Sequence, residues 1–148
     1  MTAVPADYPV YTPDDFSPGL ERRETLEIPA NALERFMDLT SDRHPLHADV
    51  DFARERGYDR PVCHGLLVSS LISSFIARQF LGSTGIFVSF TARFHRPAFE
   101  GARLILAGRV DSKSTSTGLM NVAWSLSDEA GRLVQNGTAG CLLETAKP

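Results

Sequence analysis

Apolar residues recur at two different spacings along the chain, and the change between them divides it into a mostly helical part and a strand part. Arg22 to Ile28 alternates and predicts a strand. Asn31 then offers a helix cap before LERFMDLTSD, with Leu33, Phe36, Met37 and Leu39 as the apolar side. Pro45 pushes the residue before it out of the helical region, so RHPLH is expected to be a turn. Asp49 to Arg56 predicts a short helix ended by Gly57, and YDRPVCHG a loop held by Pro61. From Gly65 to Leu81 runs GLLVSSLISSFIARQFL, apolar on most sides, with Ser69, Ser70, Ser73 and Ser74 grouped along a narrow strip. That pattern predicts one long, buried helix.

Beyond it the period drops to two. Val88–Arg96, Arg103–Val110, Met120–Leu126 and Leu133–Leu143 read as strands separated by PAFEG, SKSTSTG and DEAG, which predicts a meander joined by hairpins. Met120, Val122, Trp124 and Leu126 share one face. No helix lies between these late strands, which excludes repeated parallel crossovers. The expected class is α+β, an antiparallel sheet wrapped around one long central helix. Residues 1–18 hold prolines and no sustained period, and are expected to form an extended arm ahead of a single domain spanning 19–148.

Composition narrows the function classes. At 148 residues with 43% hydrophobic positions, the chain suffices for one globular core. A net charge of -3 gives no basic field for nucleic acid. The N-terminus lacks a basic stretch followed by an apolar one, and the apolar run 65–81 is broken by serines, Arg78 and Gln79. Neither a secretory leader nor a membrane span is expected, and the reading is a cytoplasmic protein. Cys63 and Cys141 have no disulfide or zinc spacing and read as reduced, buried thiols.

The densest polar segment is TSDRHPLHADVD, which places Asp42, His44, His47, Asp49 and Asp51 around a rigid proline. A carboxylate and an imidazole five residues apart across a turn can converge on one water and exchange protonation roles near neutral pH. Spacing alone serves a solvated loop with a helix-capping aspartate equally well. Metal ligation is the weaker reading, because no helical spacing and no cysteine pair completes a ligand set. In PVCHGLL, Gly65 opens the long helix, where unsatisfied N–H groups can stabilise an oxyanion, or where glycine simply permits the turn. Cys63 beside His64 has no orienting third group for a thiol nucleophile, and no G-x-S-x-G elbow supports a serine hydrolase.

Taken together, SDRHPLHADVDFARERGYDRPVCHGLLVSSLIS resembles the hydratase motif of MaoC-like dehydratases: Asp-x-Asn-Pro-Leu-His, a short helix, His-Gly-Met-Leu, and a serine-containing helix. FTARFHRPAFEG resembles that family's following strand and turn. The resemblance covers roughly residues 20 to 145 and implies the hot-dog fold, in a homodimer or higher homo-oligomer. It also implies hydration of a trans-2-enoyl thioester, or the reverse dehydration of an (R)-3-hydroxyacyl thioester, on coenzyme A or acyl-carrier protein. Asp42 and His47 would hold the water, and the Gly65 N–H would bond the thioester oxygen. Ser73 would support the pair, and His64 would brace the loop. No cofactor and no metal is implied. His44 stands where the family has Asn, Leu66 where it has Met, and Gly101-Ala102 where it has Gly-Asp. A hot-dog thioesterase and a non-catalytic acyl-binding module are the alternatives; the first would favour a carboxylate on the central helix, and the run from Gly65 to Leu81 has none.

Overall fold

The computed structural model describes residues 7–145. A five-stranded antiparallel sheet in the order β1-β3-β4-β5-β2 curves around a central helical run. Its strands are β1 (Glu21–Glu27), β2 (Ile86–Phe94), β3 (Arg103–Lys113), β4 (Leu119–Asp128) and β5 (Leu133–Leu142). The helices are α1 (Ala32–Thr40), α2 (Pro45–Ala48), α3 (Val50–Glu55), α4 (Gly65–Ser70) and α5 (Ile72–Ile76), followed by a π-helical turn, Ala77–Leu81. This is the α+β hot-dog arrangement that the motif implies.

The core lies between sheet and helix. Val68, Ile72, Phe75, Ile76 and Phe80 pack against Leu104, Leu106, Val110, Met120, Val122, Trp124 and Leu126, all at most 2% exposed. Each such side chain contributes about 1.5–3 kcal/mol by leaving water. Gly108 on β3 lets the helix come close, since a Cβ there would meet the Phe75 and Phe80 rings within 3.0 Å.

Several local expectations are corrected. The late strands are not a simple meander: β2 pairs with β5 at the far edge, Phe94 opposite Gln135, so β2 and β3 are not neighbours. The connection between them pairs with the end of β1, through Ile28 N–H to the Ala102 carbonyl at 3.0 Å and Gly101 N–H to the Ile28 carbonyl at 2.7 Å. Alternation defines which side chains share a face and leaves the neighbouring strand open. The central helix is segmented rather than regular. Ser70 Oγ donates to the Leu67 carbonyl at 2.7 Å, and the Leu71 N–H turns to Val68 at 3.3 Å, which interrupts the helix ladder at Leu71. Nor is it covered all round: Leu66, Ser70, Ser73 and Ser74 are exposed.

The segment RHPLH is not merely a turn, because Pro45 starts α2 at the helix position that needs no N–H. In α1, Leu39 is 83% exposed, since it stands 200° around the helix from Met37, away from the Leu33, Phe36 and Met37 side. Asn31 occupies the cap position without a side-chain bond. Glu100 takes over, accepting the Leu33 N–H at 2.8 Å from across the chain.

Of the proposed arm, residues 1–6 lie outside the described residues. The rest packs on the body: Val10 bridges to Gly82, and Phe16 is 1% exposed with its ring 6.0 Å from that of Phe80. Gly82 has φ +63, and a Cβ on it would lie 1.9 Å from the Pro9 carbonyl oxygen. Among the described residues, no helix is long and apolar enough to cross a membrane.

Candidate active site

The chain reaches Asp42 through a left-handed residue. Ser41, with φ 61, closes α1 by donating its N–H to the Met37 carbonyl at 2.8 Å. It is the only non-glycine residue with positive φ among the described residues, and such backbone settings are sparsely populated by L-residues. Asp42 is thereby turned back toward the start of α4. Its side chain is 55% exposed, with Oδ2 3.8 Å from Nε2 of His64, and Oδ1 accepts the His44 N–H at 3.3 Å.

His47 is held by the loop before α4. Val62 is stitched to α2 twice: its N–H donates to the Leu46 carbonyl at 3.1 Å, and its own carbonyl lies 2.6 Å from His47 Nδ1. A carbonyl only accepts, so Nδ1 carries the proton and Nε2 of the neutral ring is left as a lone pair. Partial burial pushes the His47 pKa below the ordinary imidazole value, reinforced by the nearby imidazole of His64 and opposed by the Val62 bond and Asp42. The result is a neutral base beside a carboxylate.

His64 links the two. It is 3% exposed, and its Nε2 donates to the Asp42 carbonyl at 2.9 Å, while its ring stacks on His47 at 3.7 Å between centroids and packs against Phe36 at 4.8 Å. Its Nδ1 is buried without a partner among the described residues. Gly65 follows as the first residue of α4. The Phe94 ring covers it so closely that a Cβ would sit 2.5 Å from that ring, which is a direct reason for glycine here. Beside it lies a cavity of about 300 Å³ lined by Tyr58, Val62, Gly65, Phe94, Arg96 and Gln135 among others. Another cavity, of about 670 Å³, lies between the N-terminal segment and the end of β5 and touches none of the proposed site residues.

The fold therefore brings Asp42, His47, His64 and Gly65 together. Ser73 stands apart, lining a separate cleft of about 260 Å³ with Ser69, Ser70, Phe87 and Phe90, and makes no hydrogen bond to the pair. His44 caps α2: its Nδ1 accepts the Leu46 N–H at 3.2 Å, the task an asparagine oxygen performs at such a position. Three contributors escaped the sequence reading: the Val62 carbonyl, Phe36 behind His64, and Phe94 over Gly65. Only Phe36, on the predicted inner side of α1, left a trace in the pattern.

Asp42, His47 and His64 each offer a ligand atom within 4.8 Å of one another, as a cation site would. One nitrogen of each imidazole is already committed to a backbone carbonyl, so a cation could use only the other two nitrogens without breaking those bonds. Cys63 takes no part as a thiolate, because burial pushes its pKa up to about 12. His95 is exposed and bonded to Asn136 at 2.8 Å.

The (R)-specific enoyl-CoA hydratase of Aeromonas caviae is 26% identical over 121 residues, spanning 82% of this chain and 90% of that protein. A mitochondrial 3-hydroxyacyl-acyl-carrier-protein dehydratase of Arabidopsis thaliana is 30% identical over 83 residues, a match that spans about half of that relative, 49%. Among solved structures, an R-hydratase of Pseudomonas aeruginosa in its unliganded form superposes with a TM-score of 0.81 at 27% identity, covering 90% of this chain and 86% of the other. A model of the MaoC like domain matches residues 15–129, and the chain belongs to this family of hydratases and dehydratases.

Proposed function

We propose that the protein is an (R)-specific hydro-lyase that adds water to a trans-2-enoyl thioester, with His47 as the base. The observation that carries this is the His47 tautomer: Nδ1 is tied to the Val62 carbonyl, so Nε2 is bare, while the ring stacks on His64, the residue before Gly65, and has a nitrogen within 4.8 Å of an Asp42 carboxylate oxygen. A water held by Asp42 gives a proton to His47 Nε2 as its oxygen bonds to C3. The C2–C3 π pair shifts toward the thioester, and the Gly65 N–H receives the growing charge on the carbonyl oxygen. The enolate then takes the proton back from His47 at C2. Atoms balance as one water added, and Asp42 stabilises the transient imidazolium.

The test is a stereochemical assay over a panel of enoyl thioesters, on coenzyme A and on acyl-carrier protein. The (R)-3-hydroxyacyl product is expected. Fast acyl-thioester hydrolysis without hydration would replace this reading with a thioesterase.

The same reading includes a homodimer. β2 is an edge strand whose outer side is unpaired among the described residues, and around it Leu66, Ile86, Val88, Phe90 and Phe94 are 39–64% exposed. An apolar edge of that length left in water invites pairing with another strand. Sedimentation at micromolar concentration is expected to give twice the 16.2 kDa chain mass. A monomer would contradict the dimer.

A further inference from the structure

The buried polar side chains among the described residues are His64, Ser69 and Gln135, and Gln135 has no part in the chemistry above. It stands on the helix-facing side of β5, opposite Leu126 on β4 and Phe94 on β2, and is 2% exposed. Leu126 beside it is wholly buried, and on its other side the amide borders the cavity next to Gly65. Burying one without partners costs about 1–3 kcal/mol. Its partners are both on α4. Oε1 accepts the Ser69 hydroxyl at 2.8 Å, and Nε2 donates to the Gly65 carbonyl at 2.9 Å. Because a carbonyl cannot donate, the second bond fixes which way the amide points.

The residue so gripped is the one that most needs it. Gly65 has no Cβ and the widest choice of backbone angles, and the next side chain, Leu66, is 64% exposed and anchors nothing. From the other side, His64 is tied to the Asp42 carbonyl at 2.9 Å. Gly65 is thus held between a loop contact before it and a sheet contact on its own carbonyl.

We propose that Gln135 is a positioning residue: fixed on the rigid sheet, it holds the Gly65–Leu66 peptide by its carbonyl and so limits rotation at the Gly65 Cα, which keeps the N–H of the preceding His64–Gly65 peptide aimed at the thioester oxygen. This rests on the hydratase reading above. It makes Ser69 a secondary partner, which orients the amide without touching Gly65.

The experiment compares Gln135→Leu and Ser69→Ala with the wild-type protein, using crotonyl-CoA hydration well below each thermal midpoint and ¹⁵N relaxation of the Gly65 amide. Gln135→Leu is expected to lower kcat about tenfold with KM within about twofold, since the lost contact acts on a donor used in the transition state. The Gly65 amide is expected to gain picosecond-to-nanosecond motion in that variant. Ser69→Ala keeps the Gly65 bond and is expected to retain at least about half of kcat. If Gln135→Leu does not fold, Gln135→Met replaces it: the side chain has a similar length but no N–H to give the Gly65 carbonyl, and the same kcat loss is expected. A Gln135→Leu protein with kcat within about twofold of wild type, or equal losses in Gln135→Leu and Ser69→Ala, would overturn the proposal. If the wild-type protein hydrates no enoyl thioester, the hydratase reading is what fails. An unchanged Gly65 order parameter in Gln135→Leu, by contrast, rejects the positioning role by itself.

Discussion

The two ends of the helical run from Gly65 to Leu81 are built from different materials. At the first end the contacts are directional: His64 to the Asp42 carbonyl, Gln135 to the Gly65 carbonyl, and His47 to the Val62 carbonyl, at 2.6–2.9 Å. At the other end Phe75, Ile76 and Phe80 are wholly buried among aromatic and aliphatic neighbours, with Phe16 folded over Phe80. Hydrogen bonds fix angles, whereas apolar packing contributes stability in proportion to area and tolerates angular change. The difference teaches that the run serves two purposes at once, with geometry concentrated at its start and cohesion along the rest.

The contrast predicts a separation between rate and stability. His47→Ala is expected to lower the hydration rate by about 10²–10⁴-fold, the range for a positioned acid/base group, while leaving the thermal midpoint nearly unchanged, because the ring is only partly covered. Kinetics and calorimetry on one sample would show it; a loss below about tenfold would remove His47 from the chemistry. Phe75→Ala is the mirror case. Its expected cost is about 3–5 kcal/mol in chemical denaturation, with kcat per folded molecule preserved at low temperature. Should that variant lose rate as heavily as His47→Ala while still folded, the two ends are not separable.

The smallest effect is a pH limb. Partial burial depresses the His47 pKa in the folded state, so the neutral base is present at and above the ordinary imidazole value of about 6.5. The hydration rate is expected to be level there and to fall on the acid side, with a midpoint below 6.5. The sign for stability is the same. The contribution of neutral His47 is complete above the unfolded-state value and is lost as pH falls through it toward the folded one. A rate profile whose acid limb lies above pH 6.5 would contradict this origin.

Much of the helical end and of the strand faces was legible from periodicity. Met120, Val122, Trp124 and Leu126 on β4 were read as sharing one face, and that face is buried. Asp42, His47, His64 and Gly65 stood out through one ordered motif, and the fold brings them together. Leu39 was misread because its three-residue spacing from Phe36 carries it past the edge of the inner side, 200° around the helix from Met37. The edge position of β2 was invisible because alternation carries no information about the neighbouring strand.

The sequence by itself determined which residues face the core, where the chain turns, and that an aspartate and a histidine flank a proline ahead of a glycine-opened helix. Those are local properties, written in periods of two and 3.6 and in the stiffness of proline. Only the tertiary structure decided which nitrogen of His47 bears its proton and that Glu100 rather than Asn31 caps α1. It alone also placed Gln135 against Gly65, a contact spanning seventy positions of the chain. Such contacts depend on the closing of long loops onto a common core, and no local pattern encodes the partner that the closing brings.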